Sequence, residues 1–125
     1  MIKYLISALT ATGDTTKTLI DTITLPAGAK AVLGVYVDAD KAATLTSGEP
    51  CTGILELESV DYNVQPCQIP LPETNILTSG AFSRQHQIWA LNWGVKGGER
   101  IAGYVTMDVA QTGALKARFG LIVDV

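Results

Sequence analysis

Leu-Lys-Ala-Arg-Phe-Gly-Leu-Ile-Val-Asp-Val, residues 115–125, alternates strongly along most of its length between apolar and other side chains. Leu115, Ala117, Phe119, Leu121, Val123 and Val125 fall on one face of an extended chain, and Lys116, Arg118 and Asp124 fall on the other. A period of two is the strand period, because successive side chains of a pleated backbone point to opposite sides. One apolar face and one polar face is how an antiparallel sheet with a single buried side reads.

The same alternation recurs upstream. Leu33, Val35 and Val37 share a face opposite Gly34, Tyr36 and Asp38, and Leu55 and Leu57 alternate with Glu56 and Glu58. In 101–109 the inward set is Ile101, Gly103, Val105, Met107 and Val109. Turn-forming clusters at 11–14, 26–28, 47–50, 60–63, 70–73, 96–99 and 111–113 separate these runs. Strands are expected near 2–9, 16–25, 30–38, 52–59, 64–70, 87–95, 100–109 and 115–125. No apolar helical periodicity persists for three turns. The expectation is an all-β, single-domain antiparallel β-sandwich over residues 1–125, of about eight strands, with a jelly roll favoured over an immunoglobulin-like sandwich. The immunoglobulin framework needs a Trp between two Cys, whereas Trp89 and Trp93 both follow Cys51 and Cys67.

Composition narrows the function. Of the 125 residues 47% are hydrophobic and only 17% charged, below the usual quarter, so the surface must be unusually neutral. The net charge is −3 with no basic run, which speaks against direct nucleic-acid binding. Residues 1–83 hold four basic and nine acidic side chains, while 84–125 hold five basic and three acidic. Such asymmetry is either chance or the mark of complementary faces meeting between subunits. No apolar run is long enough to span a membrane. The N-terminal apolar segment is broken by Ser7 and Thr10 and carries one positive charge, so no signal peptide is expected.

Candidate chemical residues are few. His86 is the sole histidine. It could join Ser83 or Cys67 in a nucleophile–base arrangement, but no Gly-x-Ser-x-Gly elbow supports one. It reads as a loop residue. Cys51 and Cys67 lack metal-site spacing. They flank a hairpin turning at 60–63 and are either bridged or, with no sign of an oxidising compartment, free buried thiols. Trp89, Leu91 and Trp93 share a strand face. Leu91 between the rings argues for core or subunit contact, and sugar stacking by the two tryptophans is the alternative. Asp38 and Asp40 could lend oxygens to Ca²⁺ but lack the full loop pattern. Glu56 and Glu58 are expected to repel one another in water. Gly97-Gly98 reads as a hairpin turn, and no phosphate-binding glycine motif is present. No catalytic, cofactor-binding or metal residue is therefore assigned, no cofactor is expected, and the protein is not expected to be an enzyme. A weakly charged sandwich without a site is the profile of an assembly subunit that buries flat neutral surface against its own copies.

Three segments carry a resemblance: Thr24–Val37, Thr52–Ser59 and Ala117–Val125. In layout they resemble the small single jelly-roll capsid or shell proteins of icosahedral, tail-less DNA viruses of archaea and bacteria. The resemblance implies a shell-building role in a virion assembled in the host cytoplasm. It implies partnership with copies of itself and with other shell proteins. The chain lacks the basic arm of many such proteins, which leaves membrane contact only as a lining under a shell. Carbohydrate or surface binding, and a decoration or spike role, are the alternatives. The jelly-roll expectation places 2–9 antiparallel to 115–125, with 30–38 as the other neighbour of the last strand. Leu33, Val35, Leu55, Leu57, Val105, Met107, Phe119 and Leu121 are expected to be nearly inaccessible. Residues from segment 39–50 or segment 71–86 are expected to be buried by a neighbouring copy.

Overall fold

The computed structural model describes residues 1–12, 15–41, 52–62, 64–71, 88–110 and 115–125, with the side chains of 12, 39–41, 64–67 and 115 left out. These residues form nine strands and no helix: β1 (Ile2–Ile6), β2 (Thr10–Thr12), β3 (Thr18–Thr24), β4 (Ala31–Lys41), β5 (Gly53–Ser59), β6 (Val64–Pro70), β7 (Trp89–Gly94), β8 (Arg100–Met107) and β9 (Leu115–Asp124). One sheet runs β1-β9-β4-β7, with β2 also paired to β9, and the other runs β3-β8-β5-β6. All pairings are antiparallel. With β1 and β2 counted as one interrupted strand, this is the eight-stranded jelly-roll order. The final strand lies between β1 and β4 as expected.

The expected first strand is split. Ser7 N donates to Phe119 O at 2.9 Å, but the Phe119 amide returns its bond to the Ser7 hydroxyl at 2.9 Å. Ala8 N then turns away to Asp21 Oδ2 at 2.8 Å. Three residues lie between Ile6 and Thr10, while two lie between their partners Gly120 and Ala117. One extra residue has therefore been inserted opposite β9.

The core lies between the sheets. Val35, Leu55, Leu57, Val105, Met107, Phe119 and Leu121 are all buried as expected. Leu33 is not. Its neighbour Val32 takes the buried position, because the register between β4 and β9 slips between Val32 and Gly34. A bulge inserts one residue and inverts the parity of everything on one side of it. Val109 is exposed rather than inward, because β8 ends at Met107. Across the sandwich, the Phe119 ring of β9 packs directly over Gly103 of β8: a Cβ added at Gly103 would stand 2.4 Å from Phe119 Cε1.

Backbone bonds tie together the turns at one end. Leu25 N donates to Glu99 O, Gly98 N to Leu25 O, and Val95 N to Lys30 O. The Arg100 guanidinium holds Asp61 Oδ1 at 2.8 Å, and the Arg100 amide donates to Asp61 Oδ2 at 2.8 Å. The Arg100 side chain first, and its amide second, hold the Asp61 carboxyl below its ordinary 3.8. A lowered carboxylate pKa in the fold adds stability that is present above the unfolded value and lost as pH falls through the folded one. The thermal midpoint of the parent should therefore exceed that of Asp61→Asn near neutrality, and the gap should close progressively as pH falls below the ordinary carboxylate value of about 4. A gap that is constant with pH would show that the pair is energetically silent.

Candidate interaction surface

The two outer faces of the sandwich differ in chemistry. On the β3-β8-β5-β6 sheet the outer face carries ion-paired and polar side chains alongside Leu19 and Ile54. Lys17 reaches Glu56 at 3.5 Å and Glu58 at 3.7 Å, and its ammonium lies 4.4 Å from the centroid of Tyr104. The expected repulsion between Glu56 and Glu58 is thus offset by a lysine from outside their strand. Thr22, Thr24 and Gln68 are exposed nearby.

The outer face of the β1-β9-β4-β7 sheet is apolar across its middle. Residues 119, 121 and 123 of β9 point inward and are fully buried, so 118, 120, 122 and 124 point outward. The register aligns Tyr4 with Ile122 and Gly34, and Ile6 with Gly120 and Tyr36. A Cβ on Gly34 would meet Ile88 at 3.1 Å and Ile122 at 3.2 Å, so those two side chains close over the glycine. The Tyr36 ring covers Gly120, filling the space that a side chain there would need. The outcome is a continuous row from Tyr4 through Ile122 to Ile88, beside a second row of Ile6 and Tyr36. Tyr4 is 68% exposed, Ile6 59% and Ile88 57%. Charge borders the patch: Arg118 pairs with Asp38 at 3.3 Å beyond one row, and Asp124 lies 3.5 Å from the Met1 amino group beyond the other. Antiparallel sheets usually turn a polar side to water, and a contiguous apolar patch on such a side marks an interaction surface.

In the sequence Lys116, Arg118 and Asp124 mark the outward positions of β9, and the apolar middle of the face lies at Gly120 and Ile122 between them. Those two positions, with Gly34 and Tyr36, were the available signal. The acidic and basic portions of the chain also meet within one molecule, through Asp38–Arg118 and Asp61–Arg100.

Trp89, Leu91 and Trp93 are half-buried and pack against the core, so they form no flat exposed platform. Trp93 also borders a pocket of about 290 Å³ with Tyr62, Lys96 and Glu99. Glu99 is buried, and both its oxygens are engaged, by Ser59 Oγ at 2.8 Å and Lys96 N at 3.1 Å. Its role is to clamp the 96–99 turn to β5. Cys51, Ser83 and His86 lie outside the described residues, as do the side chains of Asp40 and Cys67. Among the described residues no cluster of three or more metal-ligating side chains occurs, and no helix is long and apolar enough to cross a membrane.

No protein-family profile matches the chain, and no curated protein sequence is significantly similar to it. Two solved structures align with it over most of its length. A chain of the cyanophage Pam1 capsid asymmetric unit aligns with 98% of this chain and 83% of its own length, at 19% identity and a TM-score of 0.49. A chain of infectious bursal disease virus, Gt strain, aligns with 98% of this chain and 32% of its own length, at 13% identity and a TM-score of 0.44.

Proposed function

We propose that this chain is a structural subunit that self-assembles into a shell, as a viral capsid or shell protein. The observation that carries the reading is the apolar outer face of the β1-β9-β4-β7 sheet, bordered by ion pairs, where the other outer face has its ion pairs at the middle. A low overall charge supports it, because neutral surface costs less to desolvate when copies meet. The proposed partners are copies of the chain and other shell proteins, and the proposed location is the virion. No turnover is assigned to it. A decoration or spike protein seated on a shell through the same face is the second reading, and it is favoured by the same patch.

Segments 39–50 and 71–86, proposed as further contacts, lie largely outside the described residues. They adjoin strand ends that share one end of the sandwich, where Lys41 pairs with Leu115 and Gly53 with Met107.

The test is sedimentation of the full chain at micromolar concentration. Assembly is expected, with contacts above about 1,000 Å², the area that distinguishes specific interfaces. Because the patch is apolar, raising salt should change assembly little, as screening acts on exposed charges. Ile122→Asp, which places a carboxylate at the centre of the patch, should shift the protein to smaller species while leaving its thermal midpoint within a few degrees. A chain that stays monomeric at every concentration and salt would overturn the proposal.

A further inference from the structure

The hydrogen-bond parity of β1 determines what its open edge can accept. Met1 and Val125 exchange both backbone bonds, Met1 N to Val125 O at 3.0 Å and Val125 N to Met1 O at 2.7 Å. In an antiparallel ladder such bonded pairs alternate with non-bonded ones. The register therefore makes Lys3/Val123 and Leu5/Leu121 bonded pairs, and the Ser7 N to Phe119 O bond continues the series. Ile2, Tyr4 and Ile6 fall on the intervening positions. Their N–H and C=O groups point away from β9, toward the free edge, and no described residue pairs with them there. The same three residues place exposed side chains on the apolar outer face.

Natural edge strands are usually protected by charge, proline or a bulge. Between residues 2 and 6 this one has only Lys3, whose side chain lies on the opposite face from Tyr4. The edge is also complementary to itself. In an antiparallel pairing centred on Tyr4, Ile2 lies opposite Ile6 of a second copy, and Tyr4 lies opposite Tyr4 of that copy. Every edge-directed group of the three residues is then used, since each bonded pair exchanges two bonds. Lys3 comes opposite Leu5 of the other copy, so no like charges face each other. The tyrosine pair adds an aromatic cross-strand contact. The Tyr4–Ile122–Ile88 row then continues across the two-fold axis into the neighbouring sheet.

We propose that the β1 edge is a two-fold contact between copies of this chain, formed by antiparallel β1–β1 pairing centred on Tyr4. The proposal rests on the self-assembly reading above and names one of its contacts. The probe is disulfide trapping in the full chain. Directly opposed residues of a bonded pair have Cα atoms about 5.5 Å apart, within the range a disulfide spans. Tyr4→Cys, at an exposed edge position, should therefore form a covalent dimer on mild oxidation, with peptide mapping placing the bond between the two position-4 thiols. Lys3→Cys should not, because the two copies of residue 3 lie diagonally, beyond about 7 Å. Tyr4→Pro removes an N–H that points only to the edge and keeps every β9 bond, so the fold should persist. The concentration for half-assembly should then rise roughly tenfold, as two interfacial hydrogen bonds are lost per contact. Assembly without the position-4 cross-link, or cross-linking equally strong at position 3, would overturn the β1 contact and leave the shell reading standing. A parent chain that never assembles would overturn both.

Discussion

Phe119→Ala is expected to lower the unfolding free energy by about 3–5 kcal/mol, the range for emptying a buried aromatic site. Phe119 sits in β9, the strand between β1 and β4, and is fully buried at the centre of the sandwich. Its ring spans the gap between the sheets and rests on Gly103 of β8. Strands paired on both sides have little freedom to collapse into the vacated volume, so the cavity cost should add to the transfer cost. Denaturant titration should show a lower midpoint with an unchanged slope, and the thermal midpoint should fall by on the order of 10–20 °C. A loss below about 1 kcal/mol would mean that β9 has its other face inward.

Gly103→Ala is expected to cost about 1–3 kcal/mol from the opposite direction, by overfilling the same contact. The added methyl would stand 2.4, 2.6 and 2.8 Å from Cε1, Cδ1 and Cζ of the Phe119 ring. That ring is buried and cannot swing into solvent. Relief requires a shift between the sheets or an off-rotamer ring, and each is energetically costly. The decisive measurement is the double variant. Gly103→Ala combined with Phe119→Leu should be more stable than the sum of the single losses by about 0.5–3 kcal/mol, because the smaller side chain makes room for the methyl. Strict additivity would show that the two residues do not share the contact. Tyr36 over Gly120 is the milder counterpart on the outer face, since the Tyr36 ring is only half-buried and has solvent to move into.

Most of the inward set was legible because alternation is a local property. Leu55 and Leu57, Val105 and Met107, Phe119 and Leu121 lie on straight stretches of strand with unbroken parity. Leu33 failed because its strand is bulged against β9, and a slip of that kind leaves no mark in an apolar run where Val32 and Leu33 are interchangeable by chemistry. Glu56 and Glu58 were misread for a similar reason. Their partner Lys17 is remote in sequence and reaches them only because β3 and β5 both pair with β8. The apolar face was half visible: Gly34, Tyr36, Gly120 and Ile122 sit at outward positions of strong strands. That they join into one patch depends on β9 lying between β1 and β4.

The residues themselves determined that this chain would be an all-β sandwich with a neutral surface, because period-two patterning and charge content are properties of the chain before it folds. The tertiary structure alone decided which sheet gathers Lys17, Glu56 and Glu58 on its outer face, which one presents Tyr4, Ile122 and Ile88 together, and which strand is left with three residues' backbone groups directed outward. Those features follow from strand order and register, which are set by contacts between segments up to the full length of the chain apart, and no local pattern encodes them.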